Sequence, residues 1–513
     1  MRLPAHIVIY SLSNTKQLYI KCACFFSPIL QRPFSAKIIS WHVPKILFIL
    51  LLSFSCTAQS YNYYFGNLHA HTSYSDGNKD SVSSGISGPA ESYNYAKLSN
   101  NFDFLGISEH NHYSTLRNPG FKRALYQPGL RCADSLNDDG NFLTLFGMEY
   151  GVSSSNNGHV LIYGSKQLIG WESNVGGGTG PNYDIFNGKS DYAALFQKLK
   201  NNDSCFALLA HPYWTDFTTY GTDSTALAFA PYNAGFDSAI VGMPLRSGNA
   251  FSTFDNYGDY SPQNYFNYYK KMLNQGYHLG IGYDHDNHYS NFGRSNGGRL
   301  VVLMPQLSRN NLYAAMKAMR FYGSDDSNAQ LDFKMNNKVM GSIFTDDAYP
   351  TISLLHTDPD GEQADTIRIW KGYKGSGAWA YTVQEVVNAN SAVYYDTQIQ
   401  KGKEYYYFAE LRQKDGQWMV TSPIWYTGGT LLSTAAANET SKPSIYYDAG
   451  TQQISILSQA NSINEIKLFD ISGNLILMGN SDIRTITLEN LAKGYYTLQL
   501  RAGSKNYCFK IVH

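Results

Sequence analysis

The stretch from His69 to Asp76 carries two histidines and a carboxylate directly after an apolar run. His69 and His71 flank a single alanine, and alternate residues of an extended segment face the same way, roughly 6–7 Å apart. Imidazole nitrogens and carboxylate oxygens are common ligands of divalent metal ions. The segment therefore predicts the start of a metal site, with Asp76 folding back from a Ser-Asp-Gly turn towards the same ion or a neighbouring one.

The densest cluster of such groups lies between Asp284 and His288. Asp286 and His288 have the same alternate spacing as the first histidine pair, whereas Asp284, His285 and Asp286 offer a second register. So many acidic and imidazole groups in so short a stretch are difficult to explain as a surface turn. We favour Asp286 and His288 as ligands and retain Asp284 as the alternative.

Single residues of the ligand type accompany other apolar runs of the same segment. They are His110 in "GISEHNH", Glu149 in "LFGMEY", His159 in "NNGHVLIYG" and His211 in "LLAHPYW". Each is a weak signal alone, because a buried lone histidine is usually a hydrogen-bonded core residue. With the two clusters they form a set large enough for two or three ions, since one zinc takes about four ligands and a carboxylate such as Glu149 can bridge two ions.

Strand-like and helix-like runs alternate from about residue 60 to about residue 330. Helix candidates separate several of the apolar runs, at 89–100, 191–201, 261–276 and 308–321. Strands that alternate with helices favour a parallel sheet or an α/β barrel, in which catalytic residues gather at the C-terminal ends of the strands. We therefore expect the ligand candidates to converge at one rim of the region 59–330.

The rest of the chain has the pattern of two further β units. Residues 331–427 alternate polar and apolar positions between turns, which predicts a domain similar to a β-sandwich. A polar linker follows at 428–444. Residues 445–513 contain short strands, with a hairpin signal at Ser472-Gly473-Asn474.

Residues 1–58 have the features of a secretory signal. They contain basic residues and no acid, and they end in the apolar run "ILFILLLSF" followed by small residues. The run is shorter than the roughly 20 residues that span a membrane, so we expect cleavage after Ala58 and no transmembrane span. A lipoprotein signal at Cys56 is disfavoured, because Phe54 and Ser55 make a poor lipobox.

Composition and charge exclude several other classes of protein. Lys and Arg total 40 and Asp and Glu total 40, which leaves no nucleic-acid footprint. The cysteines beyond the signal region, Cys132, Cys205 and Cys508, are far apart and indicate neither a disulfide framework nor a cysteine metal knuckle. A phosphate-binding P-loop is also absent, and no Gly-x-Ser-x-Gly nucleophile elbow, with a strand before it and a helix after it, supports serine chemistry.

The order of the motifs resembles the PHP (polymerase and histidinol phosphatase) superfamily over roughly residues 62–330. The matching order is His-x-His, Ser-Asp-Gly, (Asp/Glu)-His, Gly-x-Glu, His, His-Pro and Asp-x-His. The resemblance implies an α/β fold, a distorted (β/α)7 barrel, followed here by the sandwich-like domain. The chain departs from the family at its last motif, where "GYDHDNH" stands in place of the usual Gly-Ser-Asp-x-His.

The resemblance also implies three sets of ligands for two or three divalent ions, which could be Zn, Mn or Fe. The first set would be His69, His71, Glu149 and the aspartate of the last motif. The second would be Glu149, His159 and His211. The third would be Asp76, His110 and His288.

The implied activity is that of a PHP-type phosphoesterase, which hydrolyses phosphate esters of small or exposed substrates. Glu149 and Asp286 would hold ions that lower the pKa of a shared water, and the resulting hydroxide would attack phosphorus in line. Arg294 and Arg299 follow the last motif closely and are candidates for holding phosphate oxygens. Two alternatives stay open: hydrolysis of a carboxylic or carbamate ester at the same site, and a non-catalytic surface or glycan-binding protein.

Residues 445–513 resemble a type IX secretion sorting domain. The resemblance rests on "LFDISGNLIL", "LENLAKGYYTLQL" and the short basic end "FKIVH", although His513 stands where Lys or Arg is more usual. It implies that the type IX secretion machinery exports the protein, which would then be secreted or displayed on the cell surface. The alternative is an ordinary β-sandwich adhesion module.

Overall fold

The structure is a computed structural model that describes most of the chain after the predicted signal. The described residues are 60–98, 102–112, 121, 123–151, 157–172, 182–202, 204–218, 220, 226–248, 250, 262–290, 292, 297–429, 444–448, 452–457, 463–479, 485–502 and 505–513. The predicted signal at 1–58, the candidate Arg294 and most of the predicted linker lie outside these residues.

Strands predominate over helices in the described chain. The helices are α1 Ser81–Ser84, α2 Pro89–Leu98, α3 Arg123–Leu136, α4 Tyr192–Lys200, α5 Ala234–Asp237, α6 Pro262–Gln275 and α7 Arg309–Lys317. The four ranges predicted to be helical contain α2, α4, α6 and α7, whereas α1, α3 and α5 were not predicted. None of the described helices is both long and apolar enough to cross a membrane.

The first segment of the chain supplies eleven strands. They are β1 Asn62–Asn67, β2 Phe104–His110, β3 Leu143–Tyr150, β4 His159–Tyr163, β5 Ile169–Gly170, β6 Ile185–Phe186, β7 Phe206–Ala210, β8 Ile240–Ser247, β9 Gly280–Asp284, β10 Arg299–Met304 and β11 Phe321–Ser324. Every residue of β2, β3 and β7 is buried, because these strands are covered on both faces, as parallel strands usually are.

Seven of these strands are neighbours in the order β1, β2, β3, β4, β7, β8, β9 within one large sheet. Neighbouring strands are parallel except at β4, which is antiparallel to both β3 and β7. An isolated parallel bridge between Ala70 and Asn287 joins the chain after β1 to the chain after β9. The first and last strands of this order are therefore linked beside His69, His71 and Asp286.

The second segment is all-β. Its strands are β12 Gln330–Met335, β13 Lys338–Val339, β14 Ile343–Asp346, β15 Thr351–Thr357, β16 Ala364–Tyr373, β17 Tyr381–Val387, β18 Ser391–Tyr395, β19 Glu404–Gln413, β20 Trp418–Thr421 and β21 Ile424–Gly428. Four of them form a separate sheet in the order β13, β12, β15, β18. Burial alternates along β12 and β15, as the alternating sequence predicted, and Leu331, Phe333, Ile352 and Leu354 face a common core.

The large sheet continues from the first segment into the second. On one side β11 pairs with β10, and on the other it pairs with β20, where Tyr322 lies opposite Thr421. Ser422 adds a link at this junction: its Oγ donates to Phe321 O at 2.5 Å and accepts from Ile281 N at 3.2 Å. The sequence boundary drawn at residue 330 therefore separates two segments that share one sheet.

The C-terminal segment is also all-β and has its own apolar core. Its strands are β22 Ser444–Asp448, β23 Gln453–Leu457, β24 Ile463–Asp470, β25 Leu475–Gly479, β26 Thr485–Thr487, β27 Tyr495–Ala502 and β28 Lys505–Val512. The predicted hairpin joins β24 to β25, and Gly473 adopts the left-handed conformation that such turns require (φ 82°). The core includes Ile466, Leu468, Leu498 and Leu500.

A mostly buried ionic cluster centred on His278 joins the first segment to the second. Its Nδ1 lies 2.6 Å from Asp237 Oδ2 at the end of α5, and its Nε2 lies 3.3 Å from Glu404 Oε1 at the start of β19. Burial opposes the charged imidazole, but the two carboxylates outweigh it and raise the pKa of His278 to about 9. His278 is therefore charged at neutral pH and stabilises the junction.

We expect the variant His278→Gln to lose stability only where the histidine is charged. The folded-state pKa of about 9 exceeds the ordinary value of 6.5, so the stabilisation is complete below pH 6.5 and disappears as the pH rises through 9. Urea unfolding should show a variant less stable by about 1–3 kcal/mol near pH 6 and nearly equal to wild type near pH 10. Glu385→Gln, which removes an exposed carboxylate from β17, is the control, and an equal loss at both pH values would contradict the ionic role.

Candidate metal centre

The predicted ligands lie at one end of the strands in the seven-strand order described above, which we call the rim. His110 is the last residue of β2, Glu149 is the penultimate residue of β3, and His211 directly follows β7. His159 is the first residue of β4, but β4 runs antiparallel to its neighbours, so its beginning lies at the edge where they end. The reversed direction of β4 thus brings a strand-initial histidine to the same rim.

Four buried side chains converge on a first position. They are His69, His71, Glu149 and Asp286, and each offers a nitrogen or oxygen atom within 4.8 Å of the others. Asp286 Oδ1 lies 3.1 Å from His71 Nε2 and 3.2 Å from His69 Nε2. Glu149 Oε2 lies 3.3 Å and 3.5 Å from the same two nitrogens. This group contains the aspartate of the favoured register.

The carboxylate of Glu149 faces two different sets of imidazoles. Its Oε1 lies 2.6 Å from His159 Nδ1 and 3.1 Å from His211 Nε2. Its Oε2 faces His69 and His71, as above, and lies 2.9 Å from His110 Nδ1. Because each oxygen has its own set of nitrogen neighbours, Glu149 has the geometry of a carboxylate that bridges two cations.

A third group surrounds Asp76. Its Oδ1 lies 3.3 Å from His288 Nε2 and 3.8 Å from His110 Nε2. The His71 ring stacks against the rings of His110 and His288, with centroids 4.3 Å and 4.2 Å away. His71 therefore belongs both to the first group and to the group around Asp76. The motif resemblance placed it in the first group alone.

Several atoms at the centre are buried without a hydrogen bond to any other described residue. They are His69 Nε2, His110 Nδ1, Glu149 Oε2 and both carboxylate oxygens of Asp76. Unsatisfied buried charges of this kind are costly unless a counter-charge is present. Nitrogens and oxygens that crowd together without hydrogen-bond geometry are the expected arrangement around cations, so this donor set could hold divalent metal ions.

The surrounding residues orient the histidines. Asp284 Oδ2 lies 3.2 Å from His69 Nδ1, which leaves Nε2 of the same ring for the centre. The main-chain oxygen of Asp286 lies 3.0 Å from His288 Nδ1 and leaves its Nε2 facing Asp76. The structure therefore positions Asp284, the retained alternative ligand, behind a histidine, as carboxylates commonly lie behind metal-bound imidazoles.

Backbone geometry also serves the centre. His211 and Asp286 have φ values of 28° and 51°, in the left-handed region that residues with side chains rarely adopt. A Cβ on Gly77 would overlap the main-chain carbonyl of His71, so only glycine allows the Ser-Asp-Gly turn to pack against the His-x-His segment. Such constraints persist where the surrounding structure fixes the site.

Two buried polar residues of the centre were not predicted as part of it. Asn67 Oδ1 accepts from the main-chain nitrogens of His69 (3.0 Å) and His285 (3.3 Å), and so ties together the two clusters. Glu109 accepts from Thr72 N at 3.1 Å and from the hydroxyls of Thr72 and Ser75. Both lie within two residues of a predicted ligand, and Glu109 is also the acid of the (Asp/Glu)-His motif.

The electrostatic state of the centre suits metal ligation. Burial alone would raise the pKa of the Glu149 carboxyl, but His110, His159 and His69 hold that pKa well below its usual range. Burial lowers the pKa of His159. Burial also opposes charge on His211, but Glu149 and Asp286 raise its pKa to about 9, so loading a metal there would release a proton at neutral pH.

The structure does not bring Arg299, one of the two arginine candidates, into these groups. Arg294 lies outside the described residues. Arg299 is only 2% exposed; its Nη1 donates to the main-chain oxygens of Gly297 and Gly298, and its guanidinium lies 4.8 Å from the centre of the Phe102 ring. A role in holding phosphate stays a prediction for both, and the contacts of Arg299 do not favour it.

Comparison with known protein families identifies the end of the chain. Residues 448–513 match the family described as "Secretion system C-terminal sorting domain". This segment covers most of the all-β C-terminal segment and agrees with the predicted type IX sorting domain. The protein is therefore one that the type IX secretion machinery exports, either into the medium or onto the cell surface.

The other comparisons carry no argument about the fold or function of the remaining chain. No curated protein sequence matches. Superoxide reductase (neelaredoxin) from Ignicoccus hospitalis is 8% identical over 19% of this chain and 80% of its own, with a TM-score of 0.15. The α-L-rhamnosidase of Streptomyces avermitilis is 12% identical over 35% of this chain and 24% of its own, with a TM-score of 0.17. The fibronectin(III)-like modules of Clostridium thermocellum CbhA are 12% identical over 35% of this chain and 93% of their own, with a TM-score of 0.14.

Proposed function

We propose that the protein is an exported, metal-dependent phosphoesterase of the PHP type, with its active site at the rim of a distorted (β/α)7 barrel. The barrel is supported by the seven-strand order and by the bridge between Ala70 and Asn287 at its two ends. One observation carries the functional proposal: Glu149 directs its two oxygens to two separate sets of imidazoles. A bridging carboxylate of this kind is a feature of two-metal hydrolytic centres.

The chain's own residues supply the binding and the orientation. Divalent ions held by the three groups would provide the Lewis acidity that polarises a phosphoryl oxygen and activates water. Asp284 and the main-chain oxygen of Asp286 keep two imidazoles turned towards the centre. Burial of His69, His71 and Glu149 excludes bulk water and strengthens electrostatic interactions at the site.

Substrate would enter beside His211, whose side chain is among the more exposed of the group. Tyr213 follows it and is 40% exposed. The Trp214 ring packs near Phe229 and Tyr268, with centroids 5.6 Å and 6.0 Å away. These aromatic rings could contact the part of the substrate that leaves with the ester oxygen.

A phosphate ester is the proposed substrate because its charge matches the centre. Several divalent ions close together stabilise the negative charge on phosphoryl oxygens as they pass through the transition state. A carboxylic ester develops charge on a single oxygen and makes less use of such a centre. The two classes of substrate therefore separate in a direct assay.

The test is hydrolysis by the mature chain of p-nitrophenyl phosphate, bis-p-nitrophenyl phosphate and p-nitrophenyl acetate, each with and without chelator. We expect release of nitrophenol from a phosphate ester, and loss of that activity with chelator. Activity on the acetate alone would replace the proposal with the carboxylic-ester alternative. No hydrolysis, combined with glycan affinity that survives in Glu149→Ala, would identify a non-catalytic binding protein.

A further inference from the structure

Carboxylates from two loops meet at one end of the β-sandwich segment, outside the candidate metal centre. Asp326 lies between β11 and β12, while Asp358 and Glu362 lie between β15 and β16. The strands β12 and β15 pair antiparallel, with Gln330 at the start of β12 opposite Thr357 at the end of β15. The two loops are therefore neighbours at the same end of this strand pair. Each of the three side chains offers an oxygen within 4.8 Å of the others.

The β19–β20 hairpin brings a buried amide to the same place. Gln413 is 2% exposed, and its Nε2 donates to Asp358 Oδ2 at 2.8 Å. Its Oε1 is buried and makes no hydrogen bond among the residues that the structure describes. Because the nitrogen and oxygen of one amide are roughly 2.2 Å apart, Oε1 lies within roughly 5 Å of Asp358 Oδ2. A buried acceptor without a donor needs an ordered water or an ion as its partner, and clustered carboxylates beside it favour a cation.

Two more amide oxygens nearby share this property. Asn328 Oδ1 and Gln417 Oε1 are buried and have no hydrogen-bond partner in the described chain. The Nδ2 of Asn328 donates to Asp360 Oδ2 at 2.8 Å, which ties the first loop to the second. The buried atoms of these two loops and this hairpin that lack a hydrogen-bond partner in the described chain are thus all oxygens.

Negative charge accumulates at this position. The carboxylates of Asp415, Asp326 and Asp358 are all close enough to Glu362 to repel its charge. Asp326 is 4% exposed and held in place, because its Oδ1 accepts from the main-chain nitrogens of Asn328 (2.7 Å) and Ala329 (2.6 Å). These two hydrogen bonds order the loop around the Asp326 carboxylate.

We propose that Asp326, Asp358, Glu362 and the side-chain oxygen of Gln413 form a calcium site that joins the three connections. Calcium takes six to eight oxygen ligands and accepts carboxylates, amide oxygens and water in flexible geometry. An all-oxygen set favours calcium over the metals that prefer imidazole. Export brings the protein into the calcium concentrations at which extracellular modules bind, with Kd of about 10⁻⁴–10⁻³ M.

Calorimetric titration of the mature, metal-loaded chain with calcium chloride tests the site. We expect binding in the wild type, and at least a tenfold weaker affinity in the double variant Asp358→Asn/Glu362→Gln. Asp365→Asn removes an exposed carboxylate at the start of β16 and should leave calcium affinity unchanged. Glu149→Gln should also retain calcium binding, which separates this site from the centre proposed for hydrolysis.

Thermal unfolding with and without calcium provides the second measurement. The wild type should unfold several degrees higher with calcium, and the double variant should not. If the double variant does not fold, the single variant Glu362→Gln carries the comparison, because that side chain is partly exposed. Equal calcium affinity in wild type and variant, or no binding in the wild type up to about 10 mM, overturns the proposal.

Discussion

Replacing Glu149 with glutamine is expected to lower the rate of ester hydrolysis by at least about 10³-fold, equivalent to about 4 kcal/mol of transition-state stabilisation. Its carboxylate lies within 3.5 Å of five imidazoles, those of His69, His71, His110, His159 and His211. Glutamine keeps one acceptor oxygen but carries no charge and places a donor where the second oxygen lay. Elemental analysis should show at least one metal ion fewer per chain, together with the fall in kcat.

The matched control for this variant is Glu410→Gln. Glu410 is also a buried glutamate, but it lies on β19 and accepts from the indole nitrogens of Trp370 and Trp418, each at 3.0 Å. It should lose some stability and keep both metal content and kcat. Full metal content and unchanged kcat in Glu149→Gln would remove this residue from the centre and end the proposed mechanism.

Removal of the metal ions is expected to lower the unfolding temperature by roughly 10 °C or more. Each ion bound at 100 times its Kd stabilises the folded chain by about 2.7 kcal/mol, and for domains of this size each kcal/mol shifts Tm by about 2–4 °C. Without metal, the buried carboxylates of Asp76, Glu149 and Asp286 depend mainly on the neighbouring imidazoles for counter-charge, and Asp286 and Glu149 repel each other. Scanning calorimetry before and after treatment with a chelator, and after addition of Zn, Mn or Fe, measures the shift and its reversal.

Chelators also remove calcium, so the experiment needs a variant that separates the two sites. Asp358→Asn/Glu362→Gln lacks two of the four proposed calcium ligands and should still show the large, reversible shift on loss of the rim metals. Glu149→Gln should show a smaller shift in unfolding temperature than the wild type. Identical unfolding curves for treated and untreated wild type would mean that the centre holds no stabilising ion.

The residues of the rim could be selected from sequence because metal ligation restricts residue type. His69, His71, Glu149 and Asp286 are histidines and acids placed next to apolar runs, and the structure brings them together. Direction could not be read in the same way. A run of apolar residues predicts a strand but not the direction in which that strand runs within a sheet. Nothing in "HVLIY" therefore indicated that β4 is antiparallel to its neighbours.

Elements that depend on distant packing escaped prediction. The helix α3 contains Pro128 and Gly129, which argue locally against a helix, yet Gly129 allows the chain to lie directly over the Phe146 ring. Asp326, Asp358 and Gln413 lie far apart in sequence, and none of them belongs to a local motif that indicates a site. Their proximity depends on strand pairing, which local patterns do not encode.

The strand β11, flanked by β10 and β20, limits how this gene can be cut or recombined. A fragment that stops near residue 330 would leave one side of β11 without its partner, and a bare strand edge invites aggregation. Grafts and fusions should carry the chain through Gly428, where β21 ends. The C-terminal strands β22–β28 form sheets of their own, so replacing this segment should leave the shared sheet intact.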